Sequence, residues 1–189
     1  MSGVDILSKL FGSSSRVKVM RLFLLNQEAV FEAKEVVKRT KVPPETVRSE
    51  LGSLVAIRFV TKNKKGQHQL NPTFPLLNHL RGLLQSNLVN KQSDISDRFA
   101  HCGKIKFLLV AGIFIHNADS RADLVIVGDQ LKRGLIERSI KALEAEIGRE
   151  LVYAVFETKD FNYRLNACDK FIRDVLDYPH ERIIDKLAV

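Results

Sequence analysis

Apolar residues recur with helical spacing in the first half of the chain and predict three helices there. The first covers residues 17–25 and follows the cluster 12–15, whose serines can accept hydrogen bonds from the free N–H groups that begin a helix. The second covers residues 32–39. The third begins at Pro44, because a proline costs nothing at a first helical position. Its inward-facing positions are spaced i, i+4, i+7 and i+8: Val47, Leu51, Leu54 and Val55.

After the third helix the pattern changes to that of a β-hairpin. Two short extended segments, 58–62 and 67–70, flank the turn sequence Asn-Lys-Lys-Gly at 63–66. A leucine-rich helix is then predicted over residues 76–88, and so many leucines need a partner surface. That partner is either the first helix of the same chain or the matching helix of a second copy.

The second half alternates between strand and helix patterns, which is typical of an α/β domain with a small mixed sheet. One strand is predicted from Lys106 onward. Two further strands are predicted over 122–128 and 151–157, with an amphipathic helix over 131–147 between them. The remaining segments that we predict to be helical are 160–176 and 180–187.

Charge divides the chain at the same place as the change of pattern. Residues 1–90 contain 14 Lys and Arg against 6 Asp and Glu, whereas residues 91–189 contain 16 of each sign. We therefore predict an α+β protein with two domains, 1–90 and 104–189, joined by a linker over 91–103. The net charge of +8 belongs to the first domain, as is usual for a segment that meets a polyphosphate.

Composition limits the class of protein. Hydrophobic residues make up 45% of the chain and charged residues 28%, which are ordinary values for a folded domain. The two cysteines, Cys102 and Cys168, have neither metal-ligand spacing nor a disulfide framework, so a reducing cytoplasm is expected. The longest apolar run, 107–115, is far shorter than the ~20 residues that span a bilayer, and the N-terminus lacks the features of a secretory signal. We expect a cytoplasmic protein without a membrane partner, a metal or a cofactor.

The predicted second and third helices are joined by the short turn 40–42, and the third helix is polar on its outer face. This arrangement is a helix–turn–helix, and a helix of ~10–12 Å diameter fits the DNA major groove. A hairpin with a lysine-rich tip beside it would be the wing of a winged helix. The alternatives are a solvated loop or a winged helix that binds protein. The candidate DNA-binding residues are Pro44, Glu45, Thr46, Arg48, Ser49, Lys62, Lys64 and Lys65.

This half of the chain resembles the winged-helix transcription regulators of prokaryotes, particularly the arsenic-repressor-like group. The resemblance runs to about Leu70 and lies in the segments 15–23, 34–51 and 54–60. It implies a winged helix-turn-helix domain, double-stranded DNA as the partner and a homodimer on two half-sites. The chain departs from the pattern at Pro43, where such helices commonly have a Ser or Thr cap.

The second half resembles the small nucleotidyltransferase-fold domains, through Gly112 after the first strand and the run 120–129. The resemblance implies two carboxylates at i and i+2 that hold a divalent metal on a triphosphate. Here Arg121 occupies the first position, and Asp123 alone matches the second. The third strand offers Tyr153 or Ala154 where an acid is wanted. We therefore predict an inactive, degenerate nucleotide pocket in which Arg121 pairs with Asp123 or attracts a phosphate: Gly112, Arg121 and Asp123.

These patterns together predict a DNA-binding transcriptional regulator whose C-terminal domain dimerises or senses an effector, such as a nucleotide or another small molecule. Two alternatives from other classes stay open. One is a nucleotidyltransferase that modifies a protein or a small molecule. The other is a module that binds another protein.

Overall fold

The computed structural model describes residues 3–85, 92–117 and 119–188. The chain is α+β and contains two small sheets, which confirms the predicted fold class. Its contacts divide it into two compact units. The first unit comprises Met1–Asn90 and Ala142–Glu150, and the second comprises Lys91–Lys141 and Leu151–Val189.

The first unit contains a helical core and a three-stranded antiparallel sheet in the order β1-β3-β2. From α2 onward the chain runs helix, strand, helix, helix and hairpin. Helix α1 is an element that the sequence patterns did not predict. The elements are α1 (Gly3–Phe11), α2 (Ser14–Leu25), β1 (Val30–Phe31), α3 (Ala33–Thr40), α4 (Pro44–Ala56), β2 (Val60–Lys62), β3 (His68–Leu70) and α5 (Leu77–Gln85).

The ends of these helices follow from local chemistry. The Ser13 hydroxyl accepts a hydrogen bond from the backbone N–H of Arg16 at 3.0 Å and caps α2, which confirms the predicted cap. Lys41 adopts the left-handed conformation, with φ of 53°, and this ends α3. Helix α4 then begins at Pro44, as predicted, with Pro43 in the cap position and no side chain to bond the free N–H groups.

The apolar stripe of α4 faces the core of the first unit. Val47, Leu51 and Leu54 are buried there, which confirms the predicted inward face. Leu77 and Leu84 of α5 join the same core, so α5 packs within its own chain. The segment 86–88, which was predicted to continue this helix, lies outside the described residues.

Eight complete elements and the greater part of a ninth make up the described part of the second unit, including a four-stranded sheet in the order β6-β5-β4-β7. β5 and β6 run parallel and the other neighbours antiparallel, so the sheet is mixed, as predicted. Contacts assign residues 142–147 of α7 to the first unit. The elements are α6 (Gln92–Phe99), β4 (Lys104–Val110), a 3₁₀ helix (Gly112–Ile115), β5 (Leu124–Asp129), α7 (Arg133–Ile147), β6 (Tyr153–Glu157), α8 (Thr158–Asn166), α9 (Lys170–Asp177) and β7 (Glu181–Asp185).

Three segments of the second unit differ from the sequence prediction. The predicted helix over 180–187 is wrong, because Glu181–Asp185 pairs antiparallel with β4 as an edge strand. The predicted helix over 160–176 is divided into α8 and α9 at Cys168, which has a φ of 52°. The segment 91–103, predicted to be a linker, contains α6, whose Phe99 is fully buried.

Arg21 connects three elements of the first unit through backbone carbonyls. Its side chain is only 2% exposed, and it donates to the oxygen of Leu84 at 3.1 Å and to that of Glu146 at 3.2 Å. Burial lowers the pKa of Arg21 to about 10, although the Glu146 carboxylate acts in the opposite direction. The guanidinium therefore stays charged at neutral pH, and its charge interacts favourably with the carbonyl groups at the C-terminal end of α7.

None of the helices in the described ranges has the length and apolar character that crossing a membrane requires.

Candidate functional site

Helix α4 presents a polar outer face that the fold leaves in contact with solvent. Pro44, Glu45, Arg48 and Ser49 are exposed, and Thr46 is half-buried. Glu45 and Arg48 have side chains that are 81% and 78% exposed and form an ion pair at 3.0 Å. All five residues predicted on this helix thus lie at or near the surface. Glu45, Thr46 and Ser49 lie opposite the apolar stripe, whereas Pro44 and Arg48 lie beside it.

One acidic residue of α4 has a different role from its neighbours. Glu50 is only 6% exposed, and its carboxylate accepts hydrogen bonds from the Ser13 hydroxyl and from Nε of Arg16, both at 2.8 Å. These bonds fix α4 against the beginning of α2 and so set the direction of the polar outer face. The role of Glu50 was not predicted from the sequence, because nothing in its spacing distinguishes a buried acid from an exposed one.

The turn between β2 and β3 is held in shape by Asn63. Its side-chain oxygen accepts hydrogen bonds from the backbone N–H groups of Lys65 and Gln67, each at 3.0 Å. Gly66 follows with a φ of 80°, a conformation that favours glycine. Lys62, Lys64 and Lys65 are exposed, and none of them forms an ion pair with a described residue. The hairpin therefore carries three positive charges that the fold does not use.

Helix α4 and the hairpin border one groove of about 830 Å³ in the first unit. Pro44, Arg48 and Lys62 all line it, so the structure brings these three predicted residues together. Lys34 of α3 lines the same groove and was missed, because it belongs to the helix before the predicted recognition helix. Its only signal in the sequence was its part in the positive charge of residues 1–90.

In the second unit the Asp123 carboxylate is engaged by backbone groups. Its Oδ1 accepts from the N–H of Ile113 and its Oδ2 from the N–H of Val152, each at 2.9 Å. Gly112 has a φ of 56°, and a Cβ at that position would collide with Asp123 Oδ1. Asp123 therefore joins the 3₁₀ helix to the residue that precedes β6. The missing Cβ of Gly112 therefore leaves room for the Asp123 carboxylate.

The expected pairing of Arg121 with Asp123 is wrong. Arg121 Nε instead lies 3.0 Å from Oδ2 of Asp174 on α9. The Asp123 carboxylate is held in place by the backbone N–H groups of Ile113 and Val152, and Asp174 supplies the acid that pairs with Arg121 instead. Of the three residues of the predicted degenerate pocket, Gly112 and Asp123 are therefore in contact, whereas Arg121 pairs with α9.

Within the described ranges, no group of three or more His, Cys, Asp or Glu side chains is placed to share a metal ion. Cys102 is buried and Cys168 is exposed. The Cys102 thiol and the Ser139 hydroxyl form a weak hydrogen bond, with 3.9 Å between sulfur and oxygen.

Comparison with protein-family models, with curated proteins and with solved structures found no match to this chain. The case for a function rests on the residues and their geometry.

Proposed function

We propose that the protein is a DNA-binding regulator of transcription and that its first unit acts as a winged helix. The chain order from α2 to β3 supports this proposal, because two helices joined by a short turn are followed directly by a hairpin. In this interpretation α4 is the recognition helix and the β2–β3 hairpin is the wing. Double-stranded DNA is the partner.

The observation that carries the proposal is the combination of an exposed polar helix face with unpaired lysines on the adjoining hairpin. The inner side of α4 is used by the core, whereas the outer side has no such use. Lysines without an acidic partner keep their full attraction for phosphates, and they add to a net charge of +8 on residues 1–90. A surface with these properties suits the DNA backbone and the edges of bases.

Each residue has a distinct part in this proposal. Lys62, Lys64 and Lys65 would contact phosphates and position the protein, whereas residues on α4 would read base edges. Arg48 is suited to the two acceptors of guanine, but it must first leave Glu45. An exposed pair of this kind contributes only about 0.2–1 kcal/mol, so breaking it is a small obstacle. Glu45, once released, can accept from the amino group of cytosine.

We propose no nucleotidyl transfer for the second unit. Asp123 is the one carboxylate that matches the predicted metal position, and both of its oxygens are held by backbone N–H groups. Dimerisation or the sensing of a small molecule is the role that we propose for this unit. A labelled nucleoside triphosphate with Mg²⁺ or Mn²⁺ tests the point, because transfer that is lost in Asp123→Asn would contradict the proposal.

The test of DNA binding is fluorescence anisotropy with labelled random-sequence duplex across a series of salt concentrations. If the three hairpin lysines each neutralise one phosphate, the slope of log affinity against log salt is about −3 per protomer. Affinity that does not change with salt would contradict the proposal. Selection from random duplexes then tests the homodimer, for which a two-fold symmetric motif is expected.

A further inference from the structure

The groove between α3, α4 and the hairpin has the size of a site for one small molecule. Its volume is about 830 Å³, and small-molecule sites commonly measure about 300–1,000 Å³. Apolar side chains from two helices line it, among them Val37, Leu51 and Val55. Phosphates and base edges gain little from such a lining, so contact with DNA does not explain the interior of the groove.

Positive charge surrounds this apolar interior. Lys34 comes from α3, Arg48 from α4 and Lys62 from β2, so three separate elements each contribute one cation. Lys34 and Lys62 form no ion pair in the part of the chain that the structure describes, and Arg48 has only its exposed pair with Glu45. The charge of the groove is therefore complementary to an anion.

His68 places a buried polar atom at the groove, and a bound molecule could form a hydrogen bond with it. His68 lines the groove and is only 6% exposed, and its Nδ1 atom has no hydrogen-bond partner among the described residues. Buried polar atoms of this kind are normally satisfied. His68 is the direct cross-strand partner of Lys62, so the two side chains lie on the same face of the hairpin. An oxygen of a bound molecule near both would satisfy the imidazole and meet the ammonium group.

We propose that this groove binds a small amphipathic organic anion, one molecule at a time. Its apolar body would lie against Val37, Leu51 and Val55, and its carboxylate near Lys62 and His68. Such an occupant covers Lys62 and Arg48, which makes it a competitor of DNA. The competition rests on the proposed function, whereas the binding of the anion does not.

The direct test uses decanoate and decanol with the full chain and without DNA. Both are titrated at concentrations at which they are monomeric, and binding is followed by displacement of the fluorescent probe anilinonaphthalene sulfonate. We expect decanoate to bind about tenfold more tightly than decanol, because one charged hydrogen bond is worth about that factor. Equal affinity for the two probes, or binding of neither, would overturn the proposal.

Variants locate the site. Gly52 lies on α4 in the groove, and a Cβ there meets no described atom within 4 Å, so Gly52→Leu adds an apolar side chain to the groove from a position where its first carbon has room. Gly82→Leu on α5 is the matched control, because a Cβ at that position is equally free of contacts. We expect Gly52→Leu to lose decanoate binding and Gly82→Leu to retain it. Unchanged binding in Gly52→Leu would place the anion elsewhere and overturn the proposal.

The polar end of the site has its own variants. Lys62→Ala and His68→Phe should each lower the affinity for decanoate and leave that for decanol unchanged. A parallel loss for both probes would indicate damaged packing, and would contradict the assignment of the carboxylate to these two residues. Circular dichroism of each variant shows whether the protein keeps its helical content.

A competition experiment with duplex DNA tests this proposal separately from the proposed function. Decanoate should weaken the binding of duplex by the wild-type chain, and decanol should do so only at about tenfold higher concentration. If the chain binds decanoate in the groove but binds no DNA, the ligand site stands while the proposed function and the competition fail. If it binds DNA but not decanoate, the ligand site fails and the proposed function stands.

Discussion

The charged residues predicted in the two units differ in what the fold does with them. On α4 and the hairpin, Arg48 and three lysines extend into solvent and take no part in holding the first unit together. In the second unit both carboxylate oxygens of Asp123 accept hydrogen bonds from the backbone N–H groups of Ile113 and Val152. A charged side chain that makes no contact needed for folding is available to bind a partner. A charged side chain that is hydrogen-bonded within the fold has a structural role instead.

The same difference occurs within α4. Glu45 and Glu50 are five positions apart, yet Glu45 is exposed and Glu50 is buried against Ser13 and Arg16. Burial and hydrogen-bond partners, rather than residue type, separate the two roles. Substitutions at such matched positions therefore test the comparison directly.

The largest effect is expected from Asp123→Ala. The substitution leaves the backbone N–H groups of Ile113 and Val152 without their acceptor, and hydrogen bonds to a charged group are stronger than neutral ones. We expect the free energy of unfolding to fall by about 3 kcal/mol in urea titrations. Asp119→Ala is the control, because Asp119 is exposed. Equal stability of the two variants would show that Asp123 has no structural role.

The next largest effect is expected at one of the two glutamates of α4, whose substitutions should differ in their cost to stability. Glu50→Ala removes two hydrogen bonds from a buried position, and we expect a loss of about 2–3 kcal/mol in the free energy of unfolding. Glu45→Ala removes one exposed ion pair and should cost less than about 1 kcal/mol. Thermal or urea unfolding measures both. If the two variants lost the same stability, the distinction between the faces of α4 would be wrong.

Much of the first unit could be predicted from sequence because its elements are local. The Ser13 cap, the first helical position of Pro44 and the Asn63–Gly66 turn each depend on neighbours within a few residues. Strand β7 could not be predicted in this way, because it forms by pairing with β4, more than seventy residues earlier. The long-range partners of Asp123 and Arg121 were hidden for the same reason.

The third prediction concerns the outer face of α4. Arg48→Ala should leave the free energy of unfolding nearly unchanged, because the side chain is exposed. If Arg48 contacts a base, affinity for the selected duplex should fall by about 1–3 kcal/mol and the preference at that position should relax. Anisotropy with matched and mismatched duplexes measures both. Unaltered affinity and preference would exclude Arg48 from base recognition.

The fourth prediction concerns pH. Burial lowers the pKa of His68, and the charge of Lys62 lowers it further, while a hydrogen bond with the Phe31 backbone opposes them. The unfolded chain takes up a proton below its ordinary pKa of about 6.5, before the folded chain does. The free energy of unfolding should therefore fall as the pH drops from about 6.5 toward the folded pKa. His68→Phe should flatten this dependence, whereas substitution of the exposed His79 by Phe should preserve it.

The smallest effect is expected from a single lysine at the hairpin tip. Lys64 is exposed and forms no ion pair with any described residue, so Lys64→Ala should leave stability unchanged. If it contacts one phosphate, its removal reduces the salt slope of DNA binding by about one unit, equally for every sequence. Lys170→Ala, in the second unit, is the control and should leave the slope as it was. A slope that stays the same in both variants would remove Lys64 from the interface, and a sequence-dependent loss would mean that it reads bases instead.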